Sequence, residues 1–187
     1  MIVLASASPR RAEILTLAGI RFERQAPAGI DETPKSGEKA RDYVMRLARE
    51  KARAIGSAPG RVVLGADTTV VMDGQILGKP EDAGDAARML RLLSGRAHEV
   101  ITGVCLRSPL GEAVDAATTE VWFTRLTDAE IEAYVASGEP MDKAGAYGIQ
   151  GLASKFVTRI EGCYFNVMGL PVALVYARIR DNPAFMI

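Results

Sequence analysis

Apolar positions along this chain change period several times, and each change predicts an element. Residues 2–6, IVLAS, make a short apolar run of the kind found in buried strands. Ser8-Pro9 follows, an N-cap with proline at the first helical position, and predicts a helix ending near Gly19. From Ser36 to Gly56 the residues Ala40, Tyr43, Val44, Leu47, Ala48, Ala52 and Ile55 recur at intervals of three and four, the mark of an amphipathic helix with a core-facing stripe. Lys51 breaks that stripe. Either its stem runs along the edge of the core with the ammonium in water, or the ammonium is aimed at a ligand.

Period two takes over in RVVLGADTTVVMDGQILG, rich in β-branched residues and interrupted by Asp73-Gly74, which predicts a long hairpin around a type I′ turn. Asp82 is placed to cap a helix whose Ala86, Met89, Leu90 and Leu93 share a face before Gly95 stops it. HEVITGVCL and TTEVWF read as two antiparallel strands, and Thr127 with Glu130 forms a capping box ahead of Ile131, Tyr134 and Val135, with Gly138 as terminator. MDKAGAYGIQG is too rich in glycine for regular structure. SKFVTRI is strand-like, and Pro171 opens a closing helix with basic residues near its C-terminus. Irregular alternation of helices and strands with at least two hairpins favours a mixed-sheet α/β protein over a doubly wound parallel sheet.

Charge narrows the function classes. The chain has 187 residues, a length for one domain or one compact two-lobed unit, and its 23 basic side chains equal its 23 acidic ones. Any strong positive field is therefore local. With aromatics at 6%, a basic, aromatic-studded surface for nucleic acid is not expected. No stretch approaches the roughly 18 apolar residues of a membrane span, and MIVLASAS lacks the basic and apolar regions of a leader, so a cytoplasmic protein is expected. Cys105 and Cys163 stand far apart without CxxC spacing, as reduced thiols rather than a disulfide or zinc framework.

Against that neutral background, LASASPRRAEIL places Arg10 and Arg11 in the first turn of a helix, where each arginine is unfavourable by about 0.3–1 kcal/mol if exposed. A carboxylate elsewhere in the chain is one source of compensation. A bound phosphate is the better one, because Ser6 and Ser8 add hydroxyls, the turn adds amides and the guanidinium forks add bidentate donors. No GxxxxGK[ST] or GxGxxG occurs, so neither a P-loop nor a standard dinucleotide fold is indicated. Asp67 interrupts the apolar run VVLGADTTVV, where a carboxylate has to be solvated, paired or metal-bound. Asp31 and Glu32 in GIDET add oxygen donors of the kind that suit Mg²⁺ or Mn²⁺, and Lys79 in LGKP follows the hairpin. Together these residues describe a pocket for a small polyphosphate.

The segments LASASPRRAEIL, GIDET, RLAREKA, GADTTVV, LGKP, LSGRAHEVITGV, DKAGAYGIQG and VMGLP resemble the Maf family of nucleoside triphosphate pyrophosphatases. The resemblance implies one Maf-like domain over residues 1–187, an elongated two-lobed mixed α/β fold around a central cleft as in inosine triphosphate pyrophosphatases. It also implies hydrolysis of a nucleoside triphosphate to the monophosphate and pyrophosphate with Mg²⁺ or Mn²⁺, by a cytoplasmic homodimer. Carried over by motif, Asp67 is the proton acceptor and a metal ligand, and Glu32 helps hold the metal. Ser6, Arg10, Arg11, Lys51 and Lys79 grip phosphates.

Three positions bear on substrate choice. Arg10, Thr68 and Gln150 match the branch acting on dTTP and UTP, whereas the branch acting on 7-methyl-GTP carries Trp, Gln and Glu there. A neutral amide at 150 suits the donor and acceptor edge of a pyrimidine, and a carboxylate suits a cationic methylated guanine. Modified pyrimidine nucleotides, 7-methyl-GTP, and a non-enzymatic nucleotide sensor in cell division stay open as alternatives. His98, the single histidine, is read as structural or superficial; Trp122 and Phe123 point to opposite faces of a strand; Tyr147 either lines the pocket or belongs to a tight loop.

Overall fold

A computed structural model describes residues 1–185 and resolves the alternation into seven strands and six α-helices. The elements are β1 (Ile2–Ala5), α1 (Pro9–Leu17), β2 (Phe22–Arg24), α2 (Ala40–Ile55), β3 (Val62–Met72), β4 (Gln75–Leu77), α3 (Ala83–Leu93), β5 (Ala97–Ser108), β6 (Gly111–Phe123), α4 (Asp128–Ala136), β7 (Val157–Glu161), α5 (Tyr164–Met168) and α6 (Val172–Asp181). Strand order is β2-β1-β3-β5-β6-β7, with β4 on β3. β1 is parallel to β2 and β3, while β4 and β7 are antiparallel to β3 and β6, so the sheet is mixed as the pattern predicted. The residues fall into two compact units, Met1–Thr68 with Thr102–Ala117 and Gly169–Ile187, and Thr69–Ile101 with Thr118–Met168.

In the first unit the decisive contact is between α2 and the sheet. Strand periodicity turns Val63, Gly65 and Asp67 of β3 to one face, and Gly103 and Cys105 of β5 likewise share a face. Val63 and Cys105 pack with Val3, Ala5, Ala48 and Ala52 in a fully buried cluster. A Cβ on Gly65 would lie 2.1 Å from the Ala48 carbonyl oxygen, and one on Gly103 would lie 2.4 Å from that of Val44. Glycine at both positions lets the helix backbone rest almost on the strands. Gly65→Ala and Gly103→Ala are each expected to destabilise the protein by about 1–3 kcal/mol or more. Gly111→Ala, whose added Cβ would sit 3.7 Å from Ala184, is the near-neutral control, all three read by urea unfolding.

The second unit confirms the turn chemistry and revises the hairpin. Asp73 and Gly74 have φ of 51° and 77°, both left-handed as a type I′ turn requires. The return strand is only three residues long, because Gly78 gives its carbonyl to the Gly145 amide and Pro80 has no amide to continue the ladder. Asp82 caps α3 through the Asp85 amide, and the Thr127–Glu130 capping box is present. The glycine-rich stretch is organised by Glu139, which accepts the Tyr134 hydroxyl and the Leu152 amide, while Tyr134 accepts the Gly148 amide.

His98 is 3% exposed, edge-on to Phe123 and Tyr147, with Nε2 2.8 Å from the Tyr147 hydroxyl. The structural reading of this residue holds. Tyr147 is itself buried beside it and belongs to this aromatic cluster. Burial lowers the His98 pKa to about 4. An unfolded histidine titrates near 6.5, so the unfolded chain takes up the proton first, and stability falls as pH drops from about 6.5 to about 4. The full contribution is about 3 kcal/mol. Urea unfolding of wild type and His98→Gln at pH 7 and pH 4 is expected to show the gap between them closing by up to that amount.

Candidate active site

Three elements of the first unit, α1, α2 and β3, with the connections after β1 and β2, carry the residues that lie far apart in the sequence. β1 ends at Ala5, and the chain turns through Ser6 to Ser8 before α1 begins at Pro9. Ser8 has the extended backbone of an N-cap but makes no side-chain cap; its amide instead donates to Ser6 Oγ at 3.1 Å. Arg24, which sequence reasoning did not single out, holds this turn by donating from Nε to the Ser6 carbonyl at 3.2 Å and from Nη2 to that of Ala7. No local sequence signal marks it; the register of the sheet brings it there, since Leu4 pairs with Arg24 in the parallel β1–β2 ladder, just before the turn.

The two adjacent arginines have different fates. Arg10 is half-buried in the first turn of α1, and Arg11 is buried. Arg11 donates from Nε to the Gly169 carbonyl at 2.8 Å, from Nη1 to Ser6 Oγ at 3.1 Å and from Nη2 to Thr68 Oγ1 at 3.1 Å. All three acceptors are uncharged. Thr68 in turn lies 2.9 Å from Thr102 Oγ1, so a hydroxyl chain runs from β3 to β5 beside the guanidinium. Gly169, within the VMGLP motif, has φ of 115°, which glycine alone adopts without strain and which turns its carbonyl onto Arg11.

Asp67 is 7% exposed, and its Oδ1 lies 2.6 Å from Lys51 Nζ. The same ammonium lies 2.5 Å from Glu32 Oε1. Lys51 is 8% exposed, so its break in the helix stripe has a physical meaning: the residue faces the interior and its charge is held by two acids. Burial pushes the Asp67 carboxyl upward from the usual range, opposed by the nearby Lys51 and Arg11 charges. Burial lowers the pKa of Arg11, with Asp67 pulling the other way. Glu32 Oε1 and Asp67 Oδ1 both close on the Lys51 ammonium, and each acid has a second carboxylate oxygen, a hard donor of the kind that suits Mg²⁺ or Mn²⁺ completed by phosphate oxygens and water. Among the described residues no group of three or more His, Cys, Asp or Glu forms a closed metal cage.

Ser6, Arg11, Thr68, Lys51, Asp67 and Glu32 form two contact sets within one unit, Arg11 with Ser6 and Thr68, and Lys51 with Asp67 and Glu32, which adjoin where Asp67 and Thr68 follow each other on β3 and where the Asp67 charge acts on Arg11. Lys79 and Gln150 belong to the second unit, each exposed on a loop. There the Gly78–Gly145 hydrogen bond ties the Lys79 turn to the glycine-rich segment that leads to Gln150.

Fold and site together define a mixed α/β protein with an anion-ready arginine beside a buried carboxylate and lysine. The family model of Maf-like proteins matches residues 1–182, and the chain belongs to that family. It is 54% identical over 180 residues to the dTTP/UTP pyrophosphatase of Koribacter versatilis, covering 96% of this chain and 93% of that one. The dTTP/UTP pyrophosphatases of Anaeromyxobacter dehalogenans (strain 2CP-C) and Geobacter sp. (strain M21) are each 56% identical, with 96% of this chain covered and 92% and 94% of theirs. Among solved structures, the Staphylococcus aureus Ham1 protein aligns with a TM-score of 0.53 at 12% identity, over 96% of this chain and 98% of that one, a likeness of fold.

Arg11 is a buried cation whose hydrogen bonds all go to neutral oxygens, with the nearby Asp67 charge only partly offsetting its burial, and each of those oxygens keeps another partner among Ser8, Thr102 and Thr68 if the guanidinium is removed. Arg11→Met is therefore expected to unfold no lower than wild type, to within the roughly 2–4 °C that about 1 kcal/mol represents at this size. Thermal unfolding in buffer free of phosphate and nucleotide checks this, and a larger drop would make Arg11 a structural residue.

Proposed function

We propose that this chain hydrolyses dTTP and UTP to the nucleoside monophosphate and pyrophosphate, using Mg²⁺ or Mn²⁺. The observation that carries the reading is the Arg11–Ser6–Thr68 cluster in the same unit as the Asp67–Lys51–Glu32 triad, in a chain about 55% identical to several dTTP/UTP pyrophosphatases. Modified pyrimidine triphosphates fall within the same chemistry.

The reaction joins a water oxygen to the α-phosphorus and breaks the bond from that phosphorus to the α,β-bridging oxygen. Asp67 orients the water and accepts its proton. Its burial favours this role, since a carboxyl raised above its ordinary pKa is a better base. Arg11 donates to phosphate oxygens, with Ser6 and Thr68 holding its guanidinium in place, and Arg10 adds charge at the start of α1. Lys51 keeps Asp67 and Glu32 together. The four cations Arg10, Arg11, Lys51 and Lys79 against the two acids Asp67 and Glu32 leave a formal surplus smaller than the negative charge of a triphosphate, so a further cation is needed. A bound divalent ion, held by Glu32 and Asp67, would supply that charge and polarise the phosphoryl oxygens. For Lys79 on the phosphates and Gln150 on the pyrimidine edge, the support is the motif each falls in, LGKP and GIQG. A cytoplasmic homodimer belongs to the same proposal.

The test is a panel of canonical and modified triphosphates, 7-methyl-GTP included, assayed for pyrophosphate release with Mg²⁺ or Mn²⁺. Pyrimidine triphosphates are expected to lead. Asp67→Asn is expected to retain nucleotide binding while turnover falls by about 10²-fold or more. Comparable turnover by variant and wild type removes Asp67 from its role; preference for 7-methyl-GTP reassigns the substrate; binding without turnover of any member favours the sensor.

A further inference from the structure

Glu32 sits on a long irregular segment, yet its carboxylate is held to a fixed point. Residues 25–39 have no helix or strand between β2 and α2, and the Glu32 side chain is 48% exposed. An exposed glutamate on such a loop samples many positions unless something orders the backbone beneath it. Here that something is one face of α2.

Tyr43 is buried against the core and donates its hydroxyl to the Glu32 carbonyl at 2.8 Å. One turn on, Arg46 makes a two-pronged ion pair with Glu38, Nε to Oε1 at 2.7 Å and Nη2 to Oε2 at 2.8 Å, and Nη2 also donates to the Thr33 carbonyl at 3.1 Å. Glu38 closes the segment on itself by accepting the Lys35 amide at 3.0 Å, and Asp31 accepts the Thr33 amide at 2.9 Å. The Arg46 guanidinium lies 5.6 Å from the centre of the Tyr43 ring, so the two anchors brace each other. Lys51, two turns beyond Tyr43, takes the Glu32 carboxylate itself. Tyr43 and Arg46 are three positions apart and Lys51 lies eight beyond Tyr43, about two full turns, so all three project from one side of α2.

We propose that residues 31–38 form a strap fastened along α2 by Tyr43 and Arg46, and that both are positioning residues which set the Glu32 carboxylate beside Lys51 and Asp67. The inference rests on the reading that Glu32 serves the reaction. Glu32 is gripped at both ends, its backbone by Tyr43 and its side chain by Lys51, so the strap converts a mobile acid into a preorganised one. The bidentate geometry of Arg46 makes lysine a poor replacement there. The Glu38 carboxyl, held by that fork, is depressed to about 2, so the ion pair persists across any neutral assay.

Tyr43→Phe keeps the ring and its packing while removing only the hydroxyl, and Arg46→Lys keeps the charge while removing the fork. Both are compared with Glu32→Gln by two measurements. Hydrogen exchange on the metal-free protein is expected to speed up by about tenfold at the hydrogen-bonded amides of Thr33, Lys35 and Glu38 in both variants. Steady-state kinetics with UTP are expected to show kcat down by about tenfold with a much smaller change in KM, and no further loss when Tyr43→Phe is added to Glu32→Gln. Unchanged exchange in both variants overturns the proposal. So does faster exchange with wild-type kcat, or a loss that adds in full to that of Glu32→Gln. Full activity of Glu32→Gln alone retires that glutamate from the proposed reaction, and the exchange rates then decide by themselves whether Tyr43 and Arg46 hold the strap.

Discussion

The structure of the first unit depends on how closely α2 can approach β3 and β5. Gly65 and Gly103 remove the Cβ atoms that would otherwise strike the carbonyls of Ala48 and Val44. A larger residue at either place would lift the helix, and with it Lys51, whose ammonium reaches Asp67 Oδ1 at 2.6 Å. Close packing thus does more than bury surface. It fixes the distance across which a buried acid is neutralised, and without that neutralisation a carboxylate in an apolar strand is too costly to keep charged. Alternation along β3 then completes the arrangement: Val63 packs, Gly65 admits the helix and Asp67 meets the lysine, all on one face.

The same unit treats its arginines in two ways. On α2, β5 and α6 they are matched to acids of β6: Glu112 pairs with Arg49, Arg53 and Arg107, and Asp115 with Arg41 and Arg178. Those pairs are largely exposed and contribute little each, about 0–1 kcal/mol. Arg11 is buried and is given only a serine, a threonine and a main-chain carbonyl. If stability had governed its surroundings, a carboxylate in contact would have served better. Neutral acceptors orient the fork while leaving its charge available to an incoming anion, the preorganisation that phosphate chemistry requires.

Much of this was legible in the chain because it is local. The capping box at Thr127, the Asp82 cap, the type I′ turn at Asp73-Gly74 and the proline-led start of α1 each depend on residues within a few positions, and each formed as read. Lys51 was legible as an anomaly, a charge on an apolar stripe, and Asp67 likewise. What was not legible is whatever depends on distant pairing. Nothing near Arg24 announces that it holds the Ser6 turn, nothing near Tyr43 separates a core tyrosine from one that carries the Glu32 carbonyl, and the brevity of β4 follows from a hydrogen bond between Gly78 and Gly145. Likewise the two neighbouring arginines look equivalent in sequence, and only the helix turn decides that Arg11 goes inward.

The tyrosine tether also explains why a loop of this length is compatible with an ordered site. A carboxylate on a rigid strand, like Asp67, is positioned at no further cost once the sheet forms. A carboxylate on a loop has to be held by contacts stronger than the entropy of the segment, and each of those contacts is drawn from a single helix face that the sheet has already placed. Tyr43 and Lys51 therefore link two levels of order: the glycine-permitted docking of α2 fixes the helix, and the helix then fixes the loop. Loosening the first would disorder the second without touching any residue of the strap, so a Gly65 or Gly103 substitution reaches Glu32 through the helix rather than through space.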